Sequence, residues 1–314
     1  LIRMDRKVGE LIDQLEEDGL MDNTIIFFYG DHGGPFPRHK RSVYESGNRV
    51  PMVVRMPDGF GAGTRSDKLV SFIDLAPTVL SLADLEIPDV MQGQAFMGSH
   101  NSETEVEYLF ATSDRFDEVY DQRRAVRDHQ WKYIRNTYPD KPFAIPVAYR
   151  LNMPMMNRLI EMNKEGSLNA NQKLWMRTTK PSEELYDLEN DPWELNDLAD
   201  HPDYSDHLKR LSTRLDKWIN ETGDLGQVDE QKLIQRWRPD GKQQILPAVS
   251  FQQEGDKIVL LSDRSDATII WKRQDQEAWN IYTEPFTPQS AGMIQVQQVR
   301  IGYHSLITNI EYNL

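Results

Sequence analysis

The start of the chain shows a helical pattern of apolar positions followed by a short, wholly apolar run. The helical positions are Met4, Val8, Leu11, Ile12 and Leu15. Their spacing predicts a helix over 1–18 that ends at Gly19. The run at 25–29 is rich in β-branched and aromatic residues, which is typical of a strand buried on both faces of a parallel sheet. A helix that leads into a buried strand is half of a βαβ unit, so the pattern predicts an α/β fold.

The middle of the chain carries shorter elements. The patterns predict a strand at 50–55, a helix at 71–85, a strand at 106–111 and a hairpin of strands 123–128 and 131–135. Asp74 is the expected N-terminal cap of the helix, and Pro77 suits its first turn. Further expected elements are a methionine-rich helix within 153–162, an edge strand near 184–188, a helix starting near Pro192 and a terminal helix over 208–219.

The pattern changes after the turn-rich segment 238–241. From there to the end, short alternating strands are separated by polar turns, and the clearest strands are 258–261, 268–272, 293–299 and 305–310. Several short strands at regular spacing favour a small β-sandwich. We therefore expect an all-β region after the α/β part of the chain.

Composition narrows the functional classes. The 314 residues carry a formal net charge of -14, which argues against a nucleic-acid partner. Mean hydropathy is -0.65, and no apolar stretch is long enough to span a membrane. The sequence contains no cysteine, which excludes disulfides, thiolate metal sites and a thiol nucleophile from these residues.

Candidate chemistry follows directly after the apolar run. Residues 31–34 read Asp-His-Gly-Gly, and ligands of open α/β sheets bind at the carboxyl ends of strands. The paired glycines allow a close backbone approach or a positive φ. A basic cluster at 38–41, Arg-His-Lys-Arg, comes next in a chain that is acidic overall. A carboxylate, an imidazole and several cations so close together indicate a metal-assisted site for an anionic group.

The order of these pieces resembles the sulfatase family of the alkaline-phosphatase superfamily. The match consists of Asp31-His32-Gly33, then Lys40, then Tyr-Glu-Ser-Gly-Asn-Arg-Val-Pro at 44–51 and an apolar segment at 52–54. Similar family segments are Ala-Val-Arg at 125–127 with Trp-Lys-Tyr-Ile at 131–134, and the stretch 184–199.

The resemblance implies a division of the chain into three parts. Residues 1–120 would be part of an alkaline-phosphatase-like sheet with helices, and 121–240 a small α+β C-terminal subdomain. Residues 241–314 resemble an immunoglobulin-like β module. That module would be either a docking module or a glycan binder acting through Trp271, Trp279 or Tyr282.

The resemblance also implies roles for individual residues. Asp31 would bind a metal, Ca²⁺ or possibly Mg²⁺, with His32 beside it, and Lys40 would contact sulfate or assist the leaving group. His39 would either join Lys40 in catalysis or be a loop residue. Sulfatases use a formylglycine made from Cys or Ser in a Cys/Ser-x-Pro/Ala-x-Arg motif, which is absent here. We therefore expect the chain to be the C-terminal portion of a longer enzyme and to be inactive alone.

The implied activity is hydrolysis of a sulfate ester, either of a small anionic molecule or of a glycan, with a sulfated carbohydrate as the expected substrate. Family habit implies a periplasmic or secreted protein. Two alternatives stay open: a phosphodiesterase or phosphonate hydrolase of the same superfamily, and a non-catalytic truncated chain.

Overall fold

The computed structural model describes residues 1–102 and 104–312. They form two compact units, Leu1–Asp224 and Leu225–Leu314. The division at 120 and 240 stays a prediction. One sheet of the first unit extends on both sides of residue 120, because this residue lies in a strand, Val119–Arg127, that pairs with the strand before it.

The first unit begins with helix α1 (Ile2–Glu17), as its apolar spacing predicts. Strand β1 (Ile26–Tyr29) follows, and it pairs in antiparallel register with β2 (Met52–Arg55). The prediction of a parallel strand buried on both faces is wrong. Among the described residues β1 pairs with β2 alone, and this single pairing leaves Phe28 and Tyr29 39% and 43% exposed.

A four-stranded antiparallel sheet forms the centre of this unit. Its order is β3-β4-β5-β6, with β3 at Leu109–Phe116, β4 at Val119–Arg127, β5 at Trp131–Asn136 and β6 at Glu183–Asp187. The predicted hairpin and edge strand are confirmed. The strand expected at 106–111 begins later and runs on to Phe116.

The two faces of the sheet bury different partners. On one face, the long helix α7 (Ser205–Thr222) packs Leu211, Leu215 and Ile219 against the strands. On the other face, Ala125 and Ile134 pack in a cluster that includes Val43 and Tyr44. Successive strand side chains point to opposite faces, so each strand contributes to both cores. The second core therefore attaches the segment that follows the basic cluster to the sheet.

The remaining helices of the first unit are short or peripheral. They are α2 (Glu45–Asn48), α3 (Leu75–Leu82), α4 (Ala148–Leu151), the methionine-rich α5 (Pro154–Glu165) and α6 (Ala170–Trp175). A 3₁₀ turn, Phe72–Asp74, precedes α3. Asp74 is the N-cap residue of α3, as predicted. Its carboxylate accepts the N–H groups of Ser71 and Gln94 at 2.8 and 2.9 Å, so the side chain closes the 3₁₀ turn and makes no capping bond to the α-helix.

The helix expected near Pro192 does not form. The Asp191 carboxylate accepts the N–H groups of Leu195 and Asn196, each at 2.7 Å, which closes a turn instead. Glu194 within this turn has a φ of 52°, a left-handed conformation that ends helical geometry. The next α-helix along the chain is α7.

The second unit contains helix α8 (Glu230–Trp237) and two antiparallel sheets. One pairs β7 (Ser250–Glu254) with β8 (Lys257–Leu261). The other has the order β10-β9-β11-β12, with β9 at Thr268–Arg273, β10 at Asn280–Ile281, β11 at Gly292–Val299 and β12 at Thr308–Tyr312. Ile258 and Leu260 of the first sheet share a core with Ile294 and Val296 of the second, which partly supports the predicted sandwich.

Aromatic residues of the second unit serve its core. Trp271 stacks on Phe286 with ring centroids 3.9 Å apart, and Tyr282 packs against the same cluster. Both rings pack against the core of this unit. The two roles considered for this region, docking and glycan binding, stay predictions. In the described part of the chain, no helix combines the length and the apolar character that crossing a membrane requires.

Candidate active site

Two glycines bring the turn after β1 against helix α2. The N–H of Gly33 donates to the carbonyl of Gly47 at 2.9 Å. A Cβ on Gly33 would lie 1.8 Å from the Ser46 carbonyl oxygen, and one on Gly47 would lie 2.3 Å from that of Ser42. Glycine is therefore required at both positions by backbone packing. At Gly33 the close approach is to the protein's own chain and not to a ligand.

Asp31 and His32 lie side by side on this turn. Asp31 Oδ2 is 3.3 Å from His32 Nε2, and the other ring nitrogen, Nδ1, is 2.8 Å from the Gly33 carbonyl oxygen. Because a carbonyl only accepts, this contact assigns the proton to Nδ1. A histidine whose other nitrogen donates to a backbone carbonyl is oriented as metal-binding histidines commonly are. The Asp31 side chain is 84% exposed and open to a ligand.

These two side chains fit part of a metal site. Calcium takes roughly 6–8 oxygen ligands, and magnesium about six. Across residues 1–102 and 104–312, no group of three or more His, Asp or Glu side chains is arranged to hold a metal. Asp31 supplies carboxylate oxygens and His32 one nitrogen, so the donor types suit a divalent cation but the pair does not complete its coordination.

His32 and Lys40 meet in one cleft of about 470 Å³. One wall is the loop that carries them, and the other is the end of β3, from Thr112 to Phe116. The sequence prediction missed this second wall because the expected strand stopped at residue 111. Ser113 and Asp114 are polar residues of this wall, and the pairing of β3 with β4 places them at the cleft. The local spacing of residues in the sequence could not predict that position.

His39 lies apart from the cleft lining. Its ring packs edge-on against Phe36 at 5.2 Å between centroids. Burial, together with the neighbouring Arg38 guanidinium, lowers the pKa of His39. The imidazole is therefore neutral near pH 7, and it can accept a proton but adds no positive charge.

The loop is anchored on both sides of Lys40. Before it, Arg38 donates to the carbonyls of Trp193 and Glu194 at 2.5 and 2.8 Å, and its guanidinium lies 4.0 Å from the centroid of the Tyr44 ring. After it, the Tyr44 hydroxyl donates to Glu184 Oε2 at 2.6 Å. Both anchors come from the region around β6, far away in sequence.

A buried ion cluster completes this attachment. Lys132 Nζ is 3.0 Å from Glu45 Oε1 and 3.2 Å from Glu194 Oε1. Arg127 Nη1 donates to Glu45 Oε2 at 2.5 Å, and the Glu45 N–H donates to Glu194 Oε2 at 2.8 Å. We call Glu45, Lys132, Glu194 and Arg127 the buried ion cluster. It joins three sequence segments that resembled the sulfatase family separately.

The two carboxylates of the cluster respond differently to burial. Burial opposes ionisation of Glu45, but Lys132 and Arg127 together outweigh it and lower the Glu45 pKa. Burial raises the pKa of Glu194 despite the nearby Lys132, because this side chain is the more deeply enclosed. The charged groups of the cluster pair with one another, so we interpret the cluster as structural.

Comparison with known proteins finds sequences similar to most of this chain. Residues 1–85, which include Asp31, His32, His39 and Lys40, match the Sulfatase family. An ulvan-active sulfatase of Formosa agariphila is 40% identical over 306 residues, covering 96% of this chain and 51% of that protein. The chain is therefore similar to sulfatases over most of its length. The match over 96% of the chain includes most of the β-rich second unit.

Other relatives match a shorter part of the chain. Human N-sulphoglucosamine sulphohydrolase is 25% identical over 236 residues, which are 71% of this chain and 46% of that protein. The chain spans about half the length of the curated sulfatases it matches.

Solved structures show the same fold. A protein in complex with its substrate, D-glucosamine-2-N,6-O-disulfate, gives a TM-score of 0.52 at 20% identity over 72% of this chain and 40% of that one. A 2-O GAG sulfatase gives a TM-score of 0.52 at 22% identity over 71% and 42%. The mixed α/β architecture is therefore that of sulfatase structures.

Proposed function

We propose that the chain is part of a sulfuric ester hydrolase that acts on sulfated carbohydrate. The observation that carries this proposal is the cleft in which His32 and Lys40 meet beside Asp31. It lies in a chain that is 40% identical to an ulvan-active sulfatase. The human relative and the GAG sulfatase with the same fold are also named for sulfated sugars.

Lys40 is proposed to act on the sulfate group. Its ammonium would bind the sulfuryl oxygens or stabilise the departing alkoxide, where negative charge develops. Arg38 and Tyr44, anchored on either side, hold the loop in place for this role. His39 is neutral near pH 7 and packs on Phe36, so it is the weaker candidate for a catalytic role, as a proton acceptor near the leaving group.

Asp31 and His32 would hold a divalent cation, Ca²⁺ or possibly Mg²⁺, with further ligands from outside the described residues. When bound, such a cation neutralises charge on the sulfuryl oxygens. The sequence contains neither a cysteine nor a Ser-x-Pro/Ala-x-Arg motif. We therefore propose that the formylglycine nucleophile belongs to another part of the protein. Export to the periplasm or the cell exterior also stays a prediction.

Sulfate release tests the proposal. We would compare the purified 314-residue chain with a longer protein that includes a formylglycine motif, using sulfated oligosaccharides as substrates. The longer protein should release sulfate, and the chain alone should not. Faster cleavage of phosphodiesters or phosphonates would support the alternative superfamily activity. Failure of the longer protein to cleave any of these esters would support a non-catalytic role, and sulfate release by the chain alone would refute its predicted inactivity.

A further inference from the structure

The cleft contains more positive charge than one sulfate ester requires. Lys40, Arg41 and Arg115 line it, in a chain whose net charge is -14. Asp114 also lines the cleft, but its Oδ1 already accepts from Arg124 Nη2 at 2.7 Å. A local excess of cations on an acidic protein attracts and orients anions. The excess here suggests a ligand with more than one negative group.

Arg41 is held at the cleft in an unusual conformation. Its φ is 66°, in the left-handed region that non-glycine residues rarely occupy. It forms an ion pair with Asp117, whose φ of 47° lies in the same region. Its guanidinium also lies 4.4 Å from the centroid of the Tyr149 ring. Such backbone outliers cluster at functional sites, because the surrounding structure must hold them in place.

A second arginine lies behind the cleft wall and forms no ion pair with a carboxylate among the described residues, although the charge of Asp117 acts on it. Arg150 is 4% exposed, and its guanidinium lies 4.3 Å from the ring centroid of Phe116, which lines the cleft. Within the described structure, the one hydrogen bond of its guanidinium goes from Nη1 to the Ile145 carbonyl at 3.2 Å. Burial, with Arg123 and Arg41 nearby, lowers the pKa of Arg150 to about 10. A buried cation without a paired anion is unfavourable, so an anion arriving nearby would be stabilised.

Tyr149 adds a flat surface beside these charges. The ring is 42% exposed, and Lys40 Nζ lies 5.5 Å from its centroid. An apolar face next to a few placed polar groups is the usual composition of a small-ligand site. A sugar ring could rest on this face while its charged substituent meets Arg41.

We propose that Arg41 and Tyr149 form a second anion subsite beside Lys40, supported from behind by the charge of Arg150. The subsite takes a carboxylate or a second sulfate on a sugar next to the reacting sulfate ester. The proposal rests on the proposed function and specifies its substrate class as sulfated sugar chains with a second anionic group.

Calorimetric titration of the full 314-residue chain tests the subsite directly. The probes are a sulfated disaccharide that carries a uronate carboxylate, its carboxyl-reduced counterpart and a disulfated disaccharide. The wild type should bind a dianionic probe about tenfold or more tightly than the monoanionic one, as expected for a charge-assisted contact. The tighter of the two dianions identifies the second group as carboxylate or sulfate.

Variants separate binding from structural support. Arg41→Gln should remove most of the preference for dianions, and Tyr149→Ala should weaken all three probes. Arg158→Gln, an exposed arginine on α5, is the matched control and should change nothing. Asp117→Asn removes the partner of Arg41 but leaves its charge, so binding of dianions should be kept or strengthened.

Two results would overturn the subsite. Equal binding of mono- and dianionic probes by the wild type is one. The other is an equal loss of dianion binding in Asp117→Asn and Arg41→Gln, because it would mean that Arg41 acts only by holding the β3–β4 turn in place. Neither result would affect sulfate release by the longer protein, so the subsite and the proposed function fail independently.

Discussion

Two groups of charged residues on the same loop region have opposite environments. Asp31 and His32 follow β1 with exposed side chains, 84% and 36% accessible. Glu45 lies on the segment that follows, yet its side chain is 8% exposed and its carboxylate binds Lys132 and Arg127. Charged groups that are paired inside the protein stabilise the fold, whereas charged groups that stay accessible to solvent can bind a ligand.

This contrast explains how the candidate ligand-binding side chains can be accessible to solvent while the loop that carries Lys40 is held in place. The loop that carries Lys40 is held by Arg38 on one side and by the buried ion cluster on the other. Both attachments end on Glu194, through its carbonyl and its carboxylate. The buried ion cluster thus positions the exposed groups, and its own charged residues do not line the cleft.

The largest expected effect comes from removing the central cation of the buried cluster. Lys132→Met leaves the buried Glu194 carboxylate without its cation and Glu45 with Arg127 alone, and should lower the free energy of unfolding by about 3–5 kcal/mol. Urea unfolding measures this. The exposed Lys217, paired with Glu221 at 3.6 Å, is the control, and Lys217→Met should cost less than about 1 kcal/mol. Similar losses for both variants would mean that the cluster does not hold the fold.

The next prediction concerns Lys40, a residue of the cleft that is accessible to a ligand. In an active enzyme that contains this chain, Lys40→Ala should reduce turnover about 10²- to 10⁴-fold, the range typical of lost proton-transfer or leaving-group assistance. Metal affinity should change much less. Lys164→Ala on α5 provides an exposed control that should keep full turnover. Turnover retained by Lys40→Ala would remove this residue from the proposed mechanism.

Gly33 brings the turn that carries Asp31 and His32 into backbone contact with helix α2, which begins at Glu45. Because its added Cβ would meet the Ser46 carbonyl oxygen at 1.8 Å, Gly33→Ala should destabilise the protein by about 1–3 kcal/mol, as overpacking does. Gly9 in α1 has open space around the same position, so Gly9→Ala should be neutral or stabilising. Thermal unfolding of both variants makes the comparison. An unchanged transition in Gly33→Ala would show that the two loop segments are not tightly packed.

Asp31 should matter for metal binding more than for stability. Asp31→Ala should weaken Ca²⁺ binding by about tenfold or more in calorimetric titration of the active enzyme, because it removes a first ligand. The unfolding free energy should stay nearly constant, since the side chain is exposed. Asp22→Asn is the control on the preceding exposed turn. Retained metal affinity in Asp31→Ala would disprove the ligand assignment.

The smallest effect is the pH dependence of the buried cluster. The Glu45 pKa is lowered below its usual 4.5, so its ionised form stabilises the folded protein above pH 4.5 and this contribution is lost as pH falls through the folded-state pKa. The difference in unfolding free energy between wild type and Glu45→Gln should therefore narrow as the pH falls below 4.5. A difference that is constant with pH would contradict the assigned charge of Glu45.

Local patterns predicted much of this protein. Helical spacing predicted α1, α5 and α7, and alternation with turn residues predicted the β4–β5 hairpin and most strands of the second unit. Failures occurred where a side-chain hydrogen bond or the pairing of a strand determined the outcome. The turn at Asp191 replaced an expected helix because a carboxylate accepted two N–H groups, and β1 is half-exposed because it pairs only with β2 in the described chain.

The sequence by itself determined which residue types could do the chemistry, because Asp31, His32 and Lys40 are close together along the chain. Only the tertiary structure decided that β3 forms the opposite wall of the cleft, that Arg41 meets Asp117 there, and that Glu45 meets Lys132. The physical reason is distance along the chain. The spacing of residues along the sequence indicates which face of a helix or strand a side chain occupies. Contacts between residues far apart in sequence depend on how the strands pair and on which charged groups are buried together.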